Sequence, residues 1–504
     1  MNTTFLRQRA SAGLGLVALC GMSLLTSCDK TITWPENPPL VPTSNDASGG
    51  VWKTYIVNAD SLTAAMAPLD SNDNTYKAEL NEIKQLQSAL TSEQMEAIKY
   101  WSAGAVLRWN EISRKLVVKY NVAPVVGTPP NPMMPFAQPP FASRAYALLS
   151  VAQYDALVCA WKAKFKFGRR TPSQVDAGIK QIVPIAGDLP SYPSEHAAVA
   201  RASAEVLKYL FPADSAQIEE KVGVHLDSRV CAGANVRSEV RAADSLGRMV
   251  AAQIIAYAKT DNANKGGGDA AYWTKPSNFT DPVKWTSLEL PFRGGMTPAW
   301  GNVKPWNVPS IVAIRPGPPP AIGSPEFEAQ LQELRDMSKT RTREQWRITD
   351  FWADGAGTET PPGHWNIIAE DLIRKHKQSE IRAARTMALM NTAIMDGGIA
   401  CWEAKYYYMV PRPSQMDPNI KTATGIPNFP AYTSGHSTFS GAGAAVLSYI
   451  FPDGKGQVDA QATEAAMSRL YGCIHYRFDN DSGLASGYRV AAFAIARGRA
   501  DGSP

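Results

Sequence analysis

The feature of this 504-residue sequence that most constrains its fold is an internal repeat. The clearest pairs are residues 155–164 (DALVCAWKAK) with 396–405 (DGGIACWEAK), 172–174 (PSQ) with 413–415 (PSQ), 192–196 (YPSEH) with 432–436 (YTSGH), and 204–212 (AEVLKYLFP) with 444–452 (AAVLSYIFP). The offset is 241 positions for the first two pairs and 240 for the other two. A nearly constant offset across separated segments indicates a duplication, so we expect two related structural units in one chain.

The spacing of apolar residues sets the fold class of these units. Apolar residues recur every three to four positions in long Ala-, Leu- and Met-rich runs, and alternating strand patterns are scarce. Hydrophobic residues make up 44% of the chain, which is enough for a large core. We therefore predict an all-α protein with two related helical bundles, joined by a connector rich in Pro and Gly.

The sequence divides into five predicted segments. They are a signal peptide at 1–27, a tether at 28–50, a degenerate N-terminal helical bundle at 51–262, a connector at 263–340 and a catalytic helical bundle at 341–504.

The N-terminus has the pattern of an export signal. Arg7 and Arg9 precede an apolar run over residues 12–25, which is too short to span a membrane as a helix. Leu25-Thr26-Ser27-Cys28 resembles the cleavage box of bacterial lipoproteins, in which the cysteine is lipidated; a plain signal peptide cut near Ser27 is the alternative. We expect a lipid-anchored protein of a bacterial cell envelope, facing the periplasm or the outer surface. Its contact with membrane would be through the anchor alone.

Charge and composition exclude several functional classes. Lys and Arg total 51 against 46 Asp and Glu, and no basic block stands out, so nucleic acid is not an expected partner. Six cysteines without a metal-type CxxC pair argue against a disulfide scaffold and against a zinc site. The sequence also carries no zinc-protease, serine-hydrolase or nucleotide-binding motif.

The two copies differ at positions that carry charge. The second copy has Arg412, Gly435 and His475 where the first has Thr171, Glu195 and Asn235. Because the cationic and imidazole groups are complete only in the second copy, we predict that the chemistry lies there and that the first copy is a structural partner.

The second copy concentrates groups that suit a multiply charged oxyanion. Arg412 and Arg469 can each donate two hydrogen bonds to such an anion, and Lys405 adds a point charge. Ser434 and Gly435 open an apolar helix, whose first N–H groups favour bound anions. His436 and His475 complete the set, one to bond the central atom and the other to transfer protons.

These clusters resemble the signature of the superfamily that joins type 2 phosphatidic acid phosphatases with vanadium-dependent haloperoxidases. The matching residues are Lys405-x6-Arg412-Pro413, Ser434-Gly435-His436 and Ser468-Arg469-x5-His475. The sequence departs from the family pattern at Thr433, where the second motif has Pro. The resemblance implies an acid phosphatase/vanadium haloperoxidase-like fold, which fits the two related bundles.

Flanking residues resemble the bacterial and fungal chloroperoxidase-like members. Trp402 and Phe429 match positions of the halide and substrate pocket, and chlorinating members carry Phe where the algal brominating enzymes carry His. Asp354 matches an aspartate that supports an active-site arginine.

The resemblance implies a vanadate-dependent haloperoxidase that uses hydrogen peroxide to oxidise a halide, and the oxidised halide then halogenates an organic acceptor. Vanadate, with phosphate as a competitor, would be held by Lys405, Arg412, Ser434, Gly435, Arg469 and His475, the last as axial vanadium ligand. His436, His475, Lys405 and Asp354 are the expected catalytic residues. Two alternatives stay open: a phosphatase in which His475 attacks phosphorus and His436 protonates the leaving alcohol, and a non-catalytic phosphate-binding lipoprotein.

Overall fold

The computed structural model describes residues 37–123, 131–184, 188–274 and 283–504. Within these ranges the chain forms α-helices and short 3-10 helices and no β-strand, which confirms the predicted all-α fold class. The predicted signal peptide and Cys28 lie outside the described residues. Among the described helices, none is both long and apolar enough to cross a membrane.

Eighteen α-helices lie in the described ranges. They are α1 (Ala59–Thr63), α2 (Asn74–Ser88), α3 (Ser92–Ser102), α4 (Ala105–Tyr120), α5 (Pro139–Phe167), α6 (Pro172–Val175), α7 (Glu195–Leu210), α8 (Ser215–Cys231), α9 (Arg237–Ala258), α10 (Ala271–Thr274), α11 (Pro325–Thr340), α12 (Arg343–Phe351), α13 (Thr360–Lys375), α14 (Glu380–Tyr408), α15 (Pro413–Met416), α16 (Gly435–Ile450), α17 (Lys455–Tyr471) and α18 (Arg477–Arg499). The 3-10 helices are Ala47–Val51, Pro212–Asp214, Ala263–Lys265, Trp300–Asn302, Val312–Ile314 and Pro452–Gly454.

The helix boundaries repeat the duplication seen in the sequence. Helices α5 to α9 start 241, 241, 240, 240 and 240 positions before α14 to α18, respectively. Helices α5 and α14 both contain 29 residues, α7 and α16 both 16, and α8 and α17 both 17. Each long helix also ends in a left-handed residue, Gly168 after α5 and Met409 after α14. The two bundles are therefore copies of one helical plan.

Helices α5 and α14 pack against each other at the centre of the fold. Both are buried on nearly all faces, as expected for helices whose apolar residues are spread around the whole circumference. Ser150 on α5 and Asn391 on α14 are equivalent positions, and the amide of Asn391 donates a 2.9 Å hydrogen bond to the Ser150 hydroxyl. The copies thus meet through equivalent faces.

A buried aspartate in each copy holds an extended segment against the central pair of helices. Asp155 accepts hydrogen bonds from the backbone N–H groups of residues 55–57, and Asp396 accepts them from residues 306–308. Burial raises the pKa of each carboxyl to about 6. The repeat therefore extends beyond the helices to the segments that cover them.

The predicted tether over residues 28–50 is wrong for residues 38–50, which pack against the fold. The Leu40 N–H donates to the Ser102 carbonyl at 2.9 Å, and Asp46, which is 7% exposed, pairs with Arg382. A Cβ on Gly50 would lie 2.5 Å from the backbone of Lys162, so only glycine fits there. The Pro, Ser and Gly content of this stretch reflects close packing rather than freedom of movement.

The predicted connector over residues 263–340 contains a packed helix at its end. Helix α11 buries Phe327, Leu331 and Leu334 in an apolar cluster that also holds Tyr432 and Tyr476 of the second copy. The connector therefore supplies part of the wall around the predicted site.

Candidate active site

Loops and helix ends bring the predicted site residues together. Lys405 lies in the last turn of α14, and the chain reverses at Met409 so that Arg412 precedes the short helix α15. Ser434 is the N-cap of α16, and its hydroxyl accepts from the Ser437 N–H. Arg469 lies near the end of α17. The Ser434 N–H also donates to the Asp479 carbonyl at 2.9 Å, which ties the start of α16 to the first turn of α18.

Arg412, His475 and Asp479 form a buried hydrogen-bonded chain. Arg412 Nη1 lies 3.0 Å from His475 Nε2, and His475 Nδ1 lies 2.9 Å from the Asp479 carboxylate. Because a guanidinium can only donate, His475 Nε2 is the acceptor and Nδ1 carries the proton. The arrangement therefore fixes the tautomer of His475 and leaves the lone pair on Nε2, the nitrogen that faces Arg412.

Three cations surround His475. Burial, followed by the charges of Arg412, Lys405 and Arg469, lowers the pKa of His475 well below its usual range, so the imidazole is neutral. Burial also lowers the pKa of Arg412 and of Arg469 to about 10 and that of Lys405 to about 7. Burying this much positive charge is costly unless an anion compensates it.

One of the three guanidinium nitrogens of Arg412 makes no hydrogen bond within the described part of the chain. Its Nε donates to the Phe429 carbonyl at 3.0 Å and its Nη1 to the Ile474 carbonyl at 2.7 Å. Among the described residues, the buried Nη2 has no hydrogen-bond partner. Unpaired buried donors are rare in folded proteins, so this nitrogen indicates a ligand site.

Lys405 contributes charge, but its ammonium group is turned towards the backbone. Nζ donates to the carbonyls of Pro430, Ala431 and Thr433 at 2.8, 3.0 and 2.5 Å. These three bonds use all the hydrogens of the ammonium. For the predicted direct contact with an oxyanion, Lys405 must release one carbonyl.

Gly435 leaves space at the start of α16. The atoms nearest to a Cβ built on Gly435 belong to Trp402 and Phe439, at 3.7 to 4.0 Å, which is ordinary van der Waals contact. The protein itself therefore does not require glycine here. The predicted close approach of an anion to the Gly435 N–H is the remaining physical reason for it.

His436 and Asp354 lie on the side of Arg469. Arg469 donates from Nε to the Ser468 hydroxyl at 2.9 Å and from Nη2 to the Thr349 carbonyl at 3.2 Å. The charge of Asp354 raises the pKa of Arg469 against the effect of burial, so the two side chains interact electrostatically. His436 Nε2 lies 3.8 Å from Asp354 Oδ2. Burial and the charge of Arg469 hold the pKa of His436 well below its usual range.

Trp402 and Phe429 form an aromatic pair beside the cations. Their ring centroids are 5.0 Å apart, and the Phe429 centroid lies 4.9 Å from Lys405 Nζ and 5.1 Å from Arg412 Cζ. The Met296 carbonyl accepts from Trp402 Nε1 at 3.2 Å, so the connector holds this ring in place. The role of Met296 could not be predicted, because a backbone carbonyl in an irregular segment leaves no pattern in the sequence.

In the first copy, a carboxylate of the chain compensates the charge of the equivalent buried cations. Lys164 and Arg229 are the equivalents of Lys405 and Arg469, and Glu195 takes the position of Gly435. The Glu195 carboxylate lies 2.8 Å from Lys164 Nζ and 3.9 Å from Arg229 Nη2. A carboxylate of the chain thus lies between two cations in the first copy, whereas Gly435 places no side chain between their counterparts Lys405 and Arg469.

The donor set of the second copy fits vanadate or phosphate. Arg412 Nη2, Arg469, the N–H groups at the start of α16 and the Ser434 hydroxyl would hold its oxygens. His475 Nε2 would meet its central atom after giving up the hydrogen bond that it accepts from Arg412 Nη1. In the described ranges, no cluster of His, Cys, Asp and Glu could hold a bare metal ion. The guanidinium and N–H donors of the site are the groups that suit an oxyanion.

Comparisons with known proteins agree with this description. The profile of the PAP2 superfamily matches residues 385–500. Vanadium chloroperoxidase from Curvularia inaequalis is 22% identical over 408 aligned residues, which cover 68% of this chain and 64% of that protein. The chain thus spans just under two thirds of the length of this curated relative.

Solved structures share the fold at low sequence identity. A bacterial vanadium-dependent iodoperoxidase has a TM-score of 0.60 at 24% identity, and the match covers 78% of this chain and 95% of that one. An apo-type bacterial vanadium-dependent chloroperoxidase has a TM-score of 0.52 at 15% identity, and the match covers 73% of this chain and 96% of that one. A holo-type structure of a bacterial vanadium-dependent chloroperoxidase has a TM-score of 0.53 at 14% identity, and the match covers 78% of this chain and 98% of that one. The chain therefore carries a PAP2 superfamily domain at residues 385–500 within the helical fold of the vanadium haloperoxidases.

Proposed function

We propose that the chain is a vanadate-dependent haloperoxidase-like enzyme, which oxidises a halide with hydrogen peroxide to a hypohalite-like species that halogenates an organic acceptor. The observation that carries the proposal is the contrast between the copies at Glu195 and Gly435. The first copy neutralises its buried cations with a carboxylate of the chain, whereas the second presents Arg412 Nη2 and a neutral His475 to an external oxyanion.

Each residue of the site has a defined task in this proposal. Arg412 and Arg469 hold the charge of the oxyanion, and Asp479 keeps the proton of His475 on Nδ1 so that Nε2 can bond vanadium. Bound vanadate would supply the site at which peroxide is activated. His436, neutral and next to the arginines, takes up and returns the proton of the incoming peroxide.

The aromatic pair favours halide oxidation over ester hydrolysis. Trp402 and Phe429 form an apolar wall directly against Lys405 and Arg412. Next to fixed positive charge, aromatic rings can meet a weakly hydrated halide ion with their positive edges. The experiment is to load the phosphate-free protein with vanadate and to measure peroxide-dependent halogenation of a diketone with iodide, bromide and chloride.

Phosphoester hydrolysis is the second candidate, and the geometry of His475 supports it. A neutral imidazole with its lone pair on Nε2 beside Arg412 is also the state that a nucleophile needs. Hydrolysis of an aryl phosphate without added vanadate, inhibition of that hydrolysis by vanadate, and no oxidation of any of the three halides would establish the phosphatase and refute our first proposal. Binding of the anion without either activity would leave the non-catalytic phosphate-binding protein.

The repeat provides a matched control for both assays. His436→Asn removes the proposed proton carrier, and His196→Asn makes the same change at the equivalent position of the first copy. We expect the first variant to lose at least 99% of turnover, a loss within the range that general acid–base catalysis contributes, and the second to keep most of it. Equal losses in both variants would assign His436 a structural role.

We also propose that Cys28 carries a lipid that anchors the protein to a bacterial cell envelope, on the strength of the cleavage-box pattern. A Cys28→Ala variant expressed with its own signal should appear in the soluble fraction rather than with membranes. Membrane association that survives this change would contradict the proposal.

A further inference from the structure

His364, a residue outside the superfamily motifs, is linked to His436 through Asp354. His364 Nδ1 lies 3.1 Å from Asp354 Oδ1, and the other oxygen of that carboxylate, Oδ2, lies 3.8 Å from His436 Nε2. The side chains are 12%, 7% and 17% exposed, so the chain of three groups is largely shielded from water. One carboxylate therefore stands between two imidazoles.

Packing holds His364 in a single orientation. Its ring stacks on Trp352 with centroids 4.2 Å apart and rings inclined by 17°, and the Phe351 ring meets it edge-on at 5.0 Å. Trp352 is itself fixed by a 2.9 Å hydrogen bond from Nε1 to Glu464 on α17. A ring clamped in this way gives its hydrogen bond a fixed direction.

Asp354 depends on that hydrogen bond for its position. It lies in the turn between α12 and α13 with a φ of 45°, a left-handed conformation that Asp tolerates better than most residues. Within the described ranges, Asp354 Oδ2 and His436 Nε2 both lack a hydrogen-bond partner, although both atoms are buried. Hydrogen bonding to the backbone at Trp352 and Ala353 also acts on the His436 imidazole, and a shift of less than 1 Å would add a bond between His436 Nε2 and Asp354 Oδ2.

We propose that His364 is a positioning residue that orients His436 through Asp354, an inference that rests on the proposed role of His436 in proton transfer. An ionised carboxylate can only accept, so both imidazole nitrogens that face Asp354 must donate. His364 then holds its proton on Nδ1, and neutral His436 holds its proton on Nε2. His436 Nδ1 is thereby left as the nitrogen that accepts a proton from substrate.

Two substitutions separate the hydrogen bond from the packing. His364→Phe keeps a ring against Trp352 but removes the donor, and His364→Asn keeps an N–H close to the position of Nδ1 but removes the ring. His376→Phe is the control, since it removes another histidine that faces an aspartate, Asp453, just after α13. Circular dichroism and melting temperature verify that each variant is folded.

The first readout is independent of any activity. In protein labelled with 15N-histidine, the six histidines give separate ring signals, and His436→Asn assigns those of His436. We expect wild type, His364→Asn and His376→Phe to show His436 protonated on Nε2, and His364→Phe to show a mixture of tautomers. A wild-type His436 protonated on Nδ1 would overturn the proposal, whether the chain proves to be a haloperoxidase, a phosphatase or neither.

The second readout is turnover under whichever reaction the enzyme performs. We expect His364→Phe to lower kcat at least tenfold with the halide or ester KM within twofold, and His364→Asn to recover at least half of wild-type kcat. If His364→Asn falls as far as His364→Phe, the ring packing alone matters and the positioning role is refuted. An unchanged kcat in His364→Phe would refute it equally.

Discussion

Replacing Gly435 by glutamate should convert the second copy into an analogue of the first. In the first copy, the carboxylate at this position lies 2.8 Å from Lys164 and 3.9 Å from Arg229. The backbone at Gly435 is helical, and a Cβ there meets its nearest neighbours at 3.7 to 4.0 Å, so a Cβ is accommodated without a clash. The new carboxylate would take the place of the oxyanion.

The magnitude follows from the charge. A carboxylate about 4 Å from a bound monoanion repels it by about 4 kcal/mol at an effective dielectric constant of about 20. Since about 1.4 kcal/mol corresponds to a factor of ten, Gly435→Glu should weaken anion binding by about a thousandfold. Gly435→Gln has nearly the same volume without the charge, and we expect it to weaken binding by no more than about tenfold.

Titration calorimetry with sulfate measures the effect, because the charge of sulfate is constant at neutral pH; since sulfate carries two negative charges, the thousandfold loss is a lower bound for it. The refuting result is an affinity of Gly435→Glu within threefold of that of Gly435→Gln. The space at the start of α16 would then be unrelated to the anion, and the contrast between the copies would no longer support the proposed function.

Three further outcomes follow from the structure. Glu195→Gly leaves Lys164 and Arg229 buried without their carboxylate, which should lower the free energy of unfolding by about 3–5 kcal/mol. Sulfate at about 100 times its Kd for that site should restore about 2.7 kcal/mol, so adding sulfate should raise the melting temperature of the variant more than that of wild type. Sulfate affinity should fall above about pH 7, because burial lowers the pKa of Lys405 to about 7 and the charged form that binds anions is lost as pH rises through that value. Titrations from pH 6 to 9 check this, and a Lys405→Gln variant should show a smaller fall, the remainder coming from Asp479, because burial raises the pKa of that carboxyl to about 7. Asp396→Ala removes the acceptor of three backbone N–H groups, so amide exchange at residues 306–308 should accelerate well before that of α14.

The duplication, the helices and the site could be predicted because each leaves a local pattern. Apolar spacing marks helices such as α5 and α14, and a Ser before an apolar run marks the N-cap of α16. The charged motifs around Arg412 and His475 lie in short segments whose order is kept in the chain. The structure confirms the all-α class with two related bundles.

Contacts between distant segments could not be predicted. Residues 38–50 look like a flexible tether because Pro, Ser and Gly are common in them, yet Asp46 pairs with Arg382 at a separation of more than 300 positions. The three carbonyls around Lys405 are backbone groups, which every sequence contains. The link between His364 and His436 likewise depends on how α13 packs beside the start of α16.

The contrast between the copies also bears on stability. In the first copy, Lys164, Glu195 and Arg229 lie on α5, α7 and α8, so the carboxylate links three helices from within the chain. The equivalent helices α14, α16 and α17 carry Lys405, Gly435 and Arg469, and no side chain of residue 435 joins the two cations. An oxyanion bound there would do for the second bundle what Glu195 does for the first. Anion binding and the rigidity of the second bundle would then be coupled, because the ligand that neutralises the cations would also cross-link the helices that carry them.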